Sequence, residues 1–469
     1  MNDHFVFWDG EGKISPSLLY EFLSRNGFGK YFPSGVKKKC TEPVIVRLNR
    51  NIVSEVNISY IISIVHENII TCTVGNGESG PILDSLHRST SLFGPKNIML
   101  LPTLELEFIS DTRNSGYAFF KNGVVVIEEN SILLREYDDF DAFVWENSII
   151  NINFQPIDNE PLQNFDFFQF LLDLSQVDSE ENTISRFGSL KSLIGYLMHR
   201  FKDGNTTKAI ILMDVYKNGS PNGGSGKSLL INAIGKIRNL ATIDGKKYDQ
   251  REWFGLSSVG IGTEVLSFDD IKKDFDLEQL FPLITEGLYQ RRKYKDHLFI
   301  QHKDSPKIAL TTNYAINGDS DSFKRRMFEF EVSATYNAEF SPRDKFRRNF
   351  FDEWSDSDWN CFFNTMFLCL QFYLANGLVR SEPINIGLTK MISRTSEDFV
   401  EWADDHITLG SHLDKKELYE SFLELYPDYK ILKQRSFTDW LKAWGKYKNL
   451  IIGEHHSGDS RYITFTVIN

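Results

Sequence analysis

A glycine-rich stretch that ends in Lys-Ser is the first part of the chain whose residue types suit chemistry. It reads SPNGGSGKSLL from residue 220 to residue 230. Glycines let successive backbone N–H groups point at one phosphate, and a lysine neutralises phosphate charge. The usual pattern G-x-x-x-x-G-K-[ST] needs a glycine where Pro221 stands, and the nearest upstream glycine is Gly219. We therefore expect a phosphate cradle with a lengthened entry, formed by Asn222, Gly223, Gly224, Ser225, Gly226, Lys227, Ser228 and Leu229.

The segments on either side of this loop are those that a phosphate site requires. The apolar run KAIILMDVY before it predicts a strand, and the amphipathic KSLLINAIGKIRN after it predicts a helix. A helix that begins at the loop presents free N–H groups to an anion, whereas a glycine-rich surface loop has no reason to occupy this place. Because a loop lysine contributes little to a core, we expect Lys227→Ala to remove phosphate chemistry and leave a folded protein.

Polar residues follow two later apolar runs. Asp269 and Asp270 end EVLSFDD, and Asn313 ends SPKIALTTN. By itself, an Asp-Asp after a strand is more often a turn or a helix cap, and an asparagine there often closes a turn. After a strand, a phosphate loop and a helix, the same residues predict a magnesium-binding acidic pair and a polar group that orients the attacking water.

Two adjacent arginines, Arg325 and Arg326, precede a further apolar run in SFKRRMFEF. Arginines at a strand edge usually face solvent or form salt bridges. In a ring of subunits, such a residue can instead reach the neighbour's nucleotide and stabilise the transferring phosphoryl group. We favour Arg326 for that role, with Arg325 as the other candidate.

The segment GLYQRRKYKDHLFIQHKD, between the acidic pair and Asn313, has two alternating polar and apolar runs that predict a β-hairpin. Its tip would be cationic and would carry an aromatic ring, a combination that suits contact with single-stranded nucleic acid. An ordinary solvated hairpin is the other interpretation. The candidate DNA-binding residues of the tip are Lys293, Tyr294, Lys295 and His297.

The order of these motifs resembles that of the superfamily 3 helicases of the AAA+ class. The resemblance covers residues 115 to 469 and is to the C-terminal helicase half of viral, phage and mobile-element primase-helicases of the poxvirus type. It implies a parallel sheet flanked by helices, ATP and Mg²⁺ as cofactors, and a homohexameric ring that pulls single-stranded or forked DNA through its pore. A separate primase or polymerase would be a partner. The chain departs from the pattern at Pro221, and at Tyr294, where some relatives carry histidine.

The resemblance also implies roles for the matching positions. Lys227 would contact the β- and γ-phosphates, and Ser228 with Asp269 would hold the magnesium ion. Asp270 would complete the acidic pair, and Asn313 would be the sensor. In the hairpin, the residue that tracks along the DNA strand would be Lys293.

The last segment, from residue 413 onward, predicts two amphipathic helices and then two strands that flank HHSGDS, the order of a winged helix. The first helix would begin near Asp414, and Ser436 would cap the second. The family often ends in this way. We expect DNA binding, with a protein-docking winged helix as the other interpretation. The candidate contacts are Arg435, Lys442, Lys446 and Arg461.

The composition restricts the class of protein. A net charge of −12 argues against a chain coated in nucleic acid, so cationic contacts must be local. The four cysteines lack C-x-x-C spacing, which favours reduced thiols over a zinc site or a disulfide framework. The most apolar run, CFFNTMFLCLQFYLANG, is too short and polar to span a bilayer and predicts a buried helix that ends at Asn376-Gly377. Without a signal-peptide pattern, we expect a cytoplasmic protein with no membrane partner.

The expected fold class is α/β, with a P-loop core, an α+β N-terminal region and a C-terminal winged helix. The predicted segments are an N-terminal α+β domain of unassigned role (1–105), connecting strands with a helical collar (106–200), the P-loop core (201–335), helices that pack on the core (336–395) and the winged helix (396–469). We expect an ATP-dependent DNA helicase. The alternatives are an ATP-regulated initiator or scaffold with little unwinding, and an RNA-directed ring ATPase. Residues 1–105 contain no convincing D-x-D metal pair, which argues against primase chemistry.

Overall fold

The chain forms two compact units, Met1–Ile157 and Asp158–Asn469. The computed structural model describes residues 5–32, 43–73, 79–204, 207–215, 223–249, 255–256, 258–260, 262–273, 275–290, 298–314, 316, 320–458 and 460–467. This division is coarser than the five predicted segments, which stay a prediction.

The first unit combines helices with two four-stranded sheets, ordered β1-β2-β3-β7 and β6-β5-β4-β8. Its helices are α1 (Pro16–Arg25), α2 (Ile58–Thr73), α3 (Ser79–Arg88) and α4 (Pro95–Ile98). Its strands are β1 (Phe28–Tyr31), β2 (Val44–Asn49), β3 (Ile52–Glu55), β4 (Ser115–Phe120), β5 (Gly123–Glu128), β6 (Ser131–Arg135), β7 (Val144–Trp145) and β8 (Ile149–Ile150). The turn between β4 and β5 depends on Gly123, where a Cβ would lie 2.3 Å from the Arg135 carbonyl oxygen.

The second unit holds the motifs that the sequence singled out. Its helices are α5 (Asn159–Leu162), α6 (Asp166–Ser175), α7 (Glu180–Met198), α8 (Lys227–Gly235), α9 (Phe281–Thr285), α10 (Asp321–Arg326), α11 (Pro342–Phe346), α12 (Asp356–Asn376), α13 (Ile386–Arg394), α14 (Glu397–His406), α15 (Lys415–Leu425) and α16 (Gln434–Tyr447). Its strands are β9 (Ala209–Asp214), β10 (Leu240–Asp244), β11 (Val265–Asp269), β12 (Gly287–Gln290), β13 (Leu298–Gln301), β14 (Lys307–Thr312), β15 (Met327–Val332), β16 (Leu413–Asp414), β17 (Leu450–Ser457) and β18 (Ser460–Val467).

A five-stranded sheet in the order β10-β11-β14-β9-β15 is the centre of this unit, and all its neighbouring strands are parallel. Every residue of β9 and of β14 is buried, as expected for central strands of a parallel sheet. Helices flank the sheet, as expected for an α/β fold. The predicted parallel sheet flanked by helices is confirmed.

The most apolar run of the sequence forms helix α12, which begins after a capping box between Ser355 and Asp358 and ends before Gly377. The predicted buried helix with an Asn-Gly end is therefore confirmed. Helix α7 approaches α12 closely because Gly195 has no side chain, and a Cβ there would lie 2.3 Å from the Cys369 carbonyl oxygen. In the part of the chain that the structure describes, no helix is both long and apolar enough to cross a membrane.

The two strands of the predicted hairpin are present as β12 and β13, which pair antiparallel from Gly287↔Gln301 to Gln290↔Leu298. Its tip, with Lys293, Tyr294, Lys295 and His297, lies outside the described residues.

The C-terminal segment has α14, α15 and α16 beside a three-stranded antiparallel sheet in the order β16-β18-β17. Helix α15 begins directly after Asp414, as predicted, and Asp414 caps it by accepting the backbone N–H groups of Lys416 and Glu417. The prediction that Ser436 caps the next helix is wrong. Helix α16 begins at Gln434, because the extended backbone that precedes a helix already occurs at Lys433.

Candidate functional site

The candidate site lies at the carboxyl edge of the parallel sheet. Strand β14 has β9 on one side and β11 on the other, with Thr312 opposite Met213 and Leu310 opposite Phe268. The strands therefore end together. Ligands of open parallel sheets bind at this edge. The polar residues that end or follow the three strands are Asp214, Asp269, Asp270 and Asn313.

Two glycines of the loop between β9 and α8 are required by its geometry. Gly224 and Gly226 have φ values of 84° and 96°, which glycine adopts without strain. A Cβ on Gly226 would lie 2.9 Å from the Phe170 ring, and one on Gly224 would lie 3.2 Å from the Asn337 backbone. Gly223 has open space around it, and Leu229 is half-buried. The predicted contact Asn222 lies outside the described residues.

Lys227 is the first residue of α8, and its ammonium group is buried among three oxygen atoms. It forms an ion pair with Oδ1 of Asp214 and donates hydrogen bonds to Ser225 Oγ at 3.0 Å and to Asn313 Oδ1 at 3.1 Å. Burial lowers the pKa of Lys227 and raises the pKa of Asp214, while their mutual attraction opposes both shifts. The lysine and the asparagine that the sequence predicted are thus brought together.

Asp214 is a site residue that sequence reasoning missed. It ends β9 with only 3% of its surface exposed, and its Oδ1 also accepts a hydrogen bond from Ser225. Among the described residues, none donates to its Oδ2. The signal was present in the sequence, because one acid ends the otherwise apolar AIILMD immediately before the loop.

Ser228 and Asp269 are in direct contact, with the Ser228 hydroxyl donating to Oδ1 of Asp269 at 2.9 Å. The same oxygen accepts the Thr311 hydroxyl at 2.6 Å, a contact that sequence reasoning also missed. A hydroxyl and a carboxylate are hard oxygen ligands of the kind that Mg²⁺ binds beside substrate phosphates. The donor set therefore fits the implied magnesium ion.

Asp270 has a left-handed backbone, with φ at 55°, and its position is set by neighbouring strands. Its N–H donates to Thr311 Oγ1 at 2.8 Å, and its Oδ1 accepts Asn313 Nδ2 at 3.4 Å. Its Oδ2 pairs with Lys246, which follows β10. The acidic pair thus diverges: Asp269 turns to the loop serine, and Asp270 turns to the asparagine.

The two predicted arginines lie at the opposite end of the sheet, where its parallel strands begin. They end α10, which leads directly into β15, and the first residue of β15, Met327, pairs with Ala209 at the start of β9. Arg326 is half-buried, with its guanidinium 4.8 Å from the centre of the Phe281 ring and Nη1 donating to the Ser322 carbonyl. Neither arginine belongs to the cluster around Lys227.

Arg325 is exposed and borders an open surface pocket of about 720 Å³ that is rich in positive charge. Lys208 is fixed there by hydrogen bonds to the Arg325 carbonyl at 2.6 Å and the Lys324 carbonyl at 3.4 Å. Arg380 Nη2 donates to the Met327 carbonyl at 3.2 Å. Four basic residues and one acidic residue line this pocket, although the chain has a net charge of −12. They are Lys208, Lys324, Arg325, Arg380 and Asp321.

The predicted DNA contacts of the C-terminal segment differ in whether their charge is paired within the chain. Arg435, Lys446 and Arg461 are exposed. Lys442 instead forms an ion pair with Glu454, which also accepts Lys415 at 2.9 Å. The two lysines lower the pKa of Glu454 to about 2, so the Lys442 charge is already balanced within the chain.

Comparison with known proteins gives structural likeness alone. No family model matches the chain, and no curated protein matches it. Two structures of the NrS-1 C-terminal region are similar, each with a TM-score of 0.42. One, residues 305–718, has 16% identity over 96% of this chain and 99% of that one. The other has 14% identity over 97% and 100%.

A structure of the JCV helicase with a bound small molecule is also similar, with a TM-score of 0.26 and 13% identity over 44% of this chain and 53% of that one. At these TM-scores a likeness carries no argument about function. An argument about function therefore has to rest on the geometry around Lys227.

Proposed function

We propose that this chain is an ATP-driven DNA helicase that works as a ring of identical subunits. One observation carries the proposal. A buried loop lysine, a hydroxyl–carboxylate pair and an asparagine meet at the carboxyl edge of one parallel sheet, as Lys227, Ser228 with Asp269, and Asn313. This is the set of groups that ATP hydrolysis needs at one place.

The residues of the cluster divide the work. Lys227 and the N-terminus of α8 would hold the phosphates, because both present positive charge or free N–H groups at the loop. Ser228 and Asp269 would hold Mg²⁺, which when bound neutralises charge on the phosphate oxygens. Asp270 and Asn313, which lie in hydrogen-bond contact, would orient the attacking water.

The arginine that completes the site would come from another copy of the chain. The six residues of β9 separate the Lys227 edge from the Arg325 edge by about 20 Å, so one chain cannot bring both to one phosphate. A subunit with a phosphate site at one end of the sheet and a cationic pocket at the other can contact further copies head to tail, and such contacts form a ring when the rotation between copies closes. We assign the finger to Arg325, which is exposed, ahead of Arg326, which packs on Phe281.

Two regions would contact DNA. The hairpin of β12 and β13 leads from the acidic strand toward Asn313, so its predicted cationic tip would respond to the nucleotide site. The C-terminal order of α14, β16, α15, α16, β17 and β18 supports a winged helix, in which Arg435, Lys446 and Arg461 are free to meet phosphates.

The test measures ATP hydrolysis and the separation of forked DNA with the same preparations. Wild-type protein should do both, and Asp269→Asn should lose both because it removes the carboxylate that contacts Ser228. Asp244→Asn is the matched control, since that aspartate is exposed, forms an ion pair with the nearby Lys247 and accepts the Lys246 backbone N–H.

Hydrolysis without strand separation would favour an ATP-regulated initiator or scaffold. Separation of forks with RNA tails in preference to DNA tails would favour an RNA-directed ring ATPase. Equal hydrolysis by wild type and Asp269→Asn would refute the nucleotide site itself.

A further inference from the structure

We propose that Asp214 is a positioning residue that holds the Lys227 ammonium group in the nucleotide-free protein and competes with phosphate for it. This inference rests on the proposed ATP site and concerns its regulation. Asp214 would make nucleotide binding weaker than the loop alone would allow, because Lys227 must leave its buried partner to reach a phosphate.

The hydrogen-bond capacity of Lys227 is the first support. A lysine ammonium group has three donors and no acceptor. In the structure all three have protein partners: Asp214 Oδ1, Ser225 Oγ and Asn313 Oδ1. No donor remains for a phosphate oxygen, so nucleotide binding must break at least one of these contacts.

The charge of Asp214 is the second support. Of the three partners, only Asp214 carries a charge, and its side chain is 1% exposed, against 7% for that of Lys227. Its Oδ1 receives both described hydrogen bonds, and its Oδ2 receives none from a described residue. A buried carboxylate that loses its cationic partner is strongly unfavourable. Withdrawal of Lys227 toward a phosphate therefore carries a cost that the neutral partners do not impose.

The third support is the place of Asp214 beside the other acids. It ends β9 on one side of β14, and Asp269 ends β11 on the other side, with Asp270 directly after it. An ATP triphosphate at this edge would add negative charge beside three carboxylates. With Lys227 drawn toward the phosphates, Asp214 would be the carboxylate with the least compensation, since Asp269 has Ser228 and Thr311 and Asp270 has Lys246.

The test compares the binding of a non-hydrolysable ATP analogue with Mg²⁺ by wild type and Asp214→Asn, using titration calorimetry on the full chain. The amide keeps the shape and one oxygen acceptor but removes the charge. We expect analogue affinity to rise by about 10-fold, within the range of ordinary coupling between sites.

A double-mutant cycle separates release of the lysine from simple charge repulsion. In a Lys227→Ala background, Asp214→Asn should give a clearly smaller gain, because no ammonium group is left to release. An equal gain in both backgrounds would reduce Asp214 to a distant negative charge and overturn the proposal. Unchanged or weaker binding by Asp214→Asn would also overturn it. If neither wild type nor the variant binds the analogue, the ATP site itself fails.

Asp214→Asn also leaves Lys227 without its buried counter-charge, so the nucleotide-free variant should be less stable than wild type. The analogue supplies new negative charge. It should therefore raise the melting temperature of the variant by more than it raises that of wild type, and raise the soluble yield of a variant that purifies poorly without it. A variant that stays insoluble with the analogue, or shows no larger rise, would contradict the proposal.

Discussion

Ser228 and Thr311, from different elements, donate hydrogen bonds to the same carboxylate oxygen, Oδ1 of Asp269, at 2.9 and 2.6 Å. The start of α8 and the end of β14 are thereby joined at the end of β11. The Thr311 hydroxyl also accepts the Asp270 N–H, so one buried threonine orients both members of the acidic pair. Replacing a group that orients a metal-binding carboxylate in this way typically lowers metal affinity or activity by about 10- to 100-fold.

Thr311→Val should therefore lower Mg²⁺-dependent hydrolysis by roughly 10- to 100-fold, mainly through weaker Mg²⁺ affinity. A Mg²⁺ titration of the hydrolysis rate measures this. Thr311→Ser is the matched control, because it keeps the hydroxyl that serves both aspartates. Equal Mg²⁺ dependence in the two variants would show that the hydroxyl does not orient the acidic pair.

Lys227→Ala should abolish hydrolysis and also destabilise the protein. The premise that a loop lysine contributes little to the core does not hold for Lys227, which is buried and is the counter-ion of Asp214. Removing one partner of a buried pair costs about 3–5 kcal/mol. Urea unfolding without nucleotide should show this loss, and Lys227→Ala/Asp214→Asn should recover part of it. Full stability of the single variant would mean that the pair contributes nothing in the folded chain.

Arg325→Ala should retain nucleotide binding and lower hydrolysis by on the order of 10³-fold, the scale of an arginine finger. Mixing it with Asp269→Asn protein should restore some activity, because some interfaces then combine an intact site with an intact arginine. The comparison variant is Arg326→Ala, which loses its contact with the Phe281 ring and should lower stability by about 0.5–2 kcal/mol. If Arg326→Ala loses hydrolysis at unchanged stability and Arg325→Ala does not, the finger is Arg326.

Glu454→Gln should strengthen DNA binding, because it removes a negative charge and releases the Lys442 side chain. The log–log salt slope of duplex binding should steepen by about 0.9 for each additional DNA phosphate that the variant neutralises. Lys446→Ala should do the opposite, since that lysine is exposed. Unchanged affinity in both variants would favour a winged helix that docks to protein.

The same glutamate should affect acid stability. Its pKa is lowered in the folded state to about 2 from an ordinary 4.5, so its stabilising contribution is present above pH 4.5 and is lost as the pH falls toward 2. Wild type should lose more stability than Glu454→Gln across that window. Denaturant midpoints at several pH values measure this difference. If wild type and Glu454→Gln lose stability in parallel as the pH falls, the ion pairs of Glu454 do not contribute to stability.

Lys293→Ala should leave basal ATP hydrolysis nearly intact while unwinding and stimulation by DNA are lost. The salt slope of single-strand binding should fall by roughly 0.7 for each phosphate that a hairpin tip no longer neutralises. Tyr294→Ala should weaken binding with less change in slope, since stacking releases no counterions. Wild-type unwinding by the Lys293 variant would indicate that DNA follows another path.

The sequence by itself determined the local elements of the site. An apolar run, a glycine loop and an amphipathic run predicted β9 and α8, because burial on both faces and helical periodicity are properties of short segments. The same reasoning located Asp269, Asp270 and Asn313 at strand ends, and the parallel sheet confirms that these ends meet. The alternation of polar and apolar residues between the acidic pair and Asn313 also predicted a hairpin, and its two strands are present.

Only the tertiary structure decided which side chains are partners. The Lys227 ammonium group meets Asp214 because the loop returns α8 to the end of β9, and Thr311 meets Asp269 because β14 lies beside β11. Folding also set Arg326 against Phe281 and Lys442 against Glu454, so two cations that looked free in the sequence have internal partners. Residue type and spacing describe what a side chain can do, but strand order and packing determine which charge it faces.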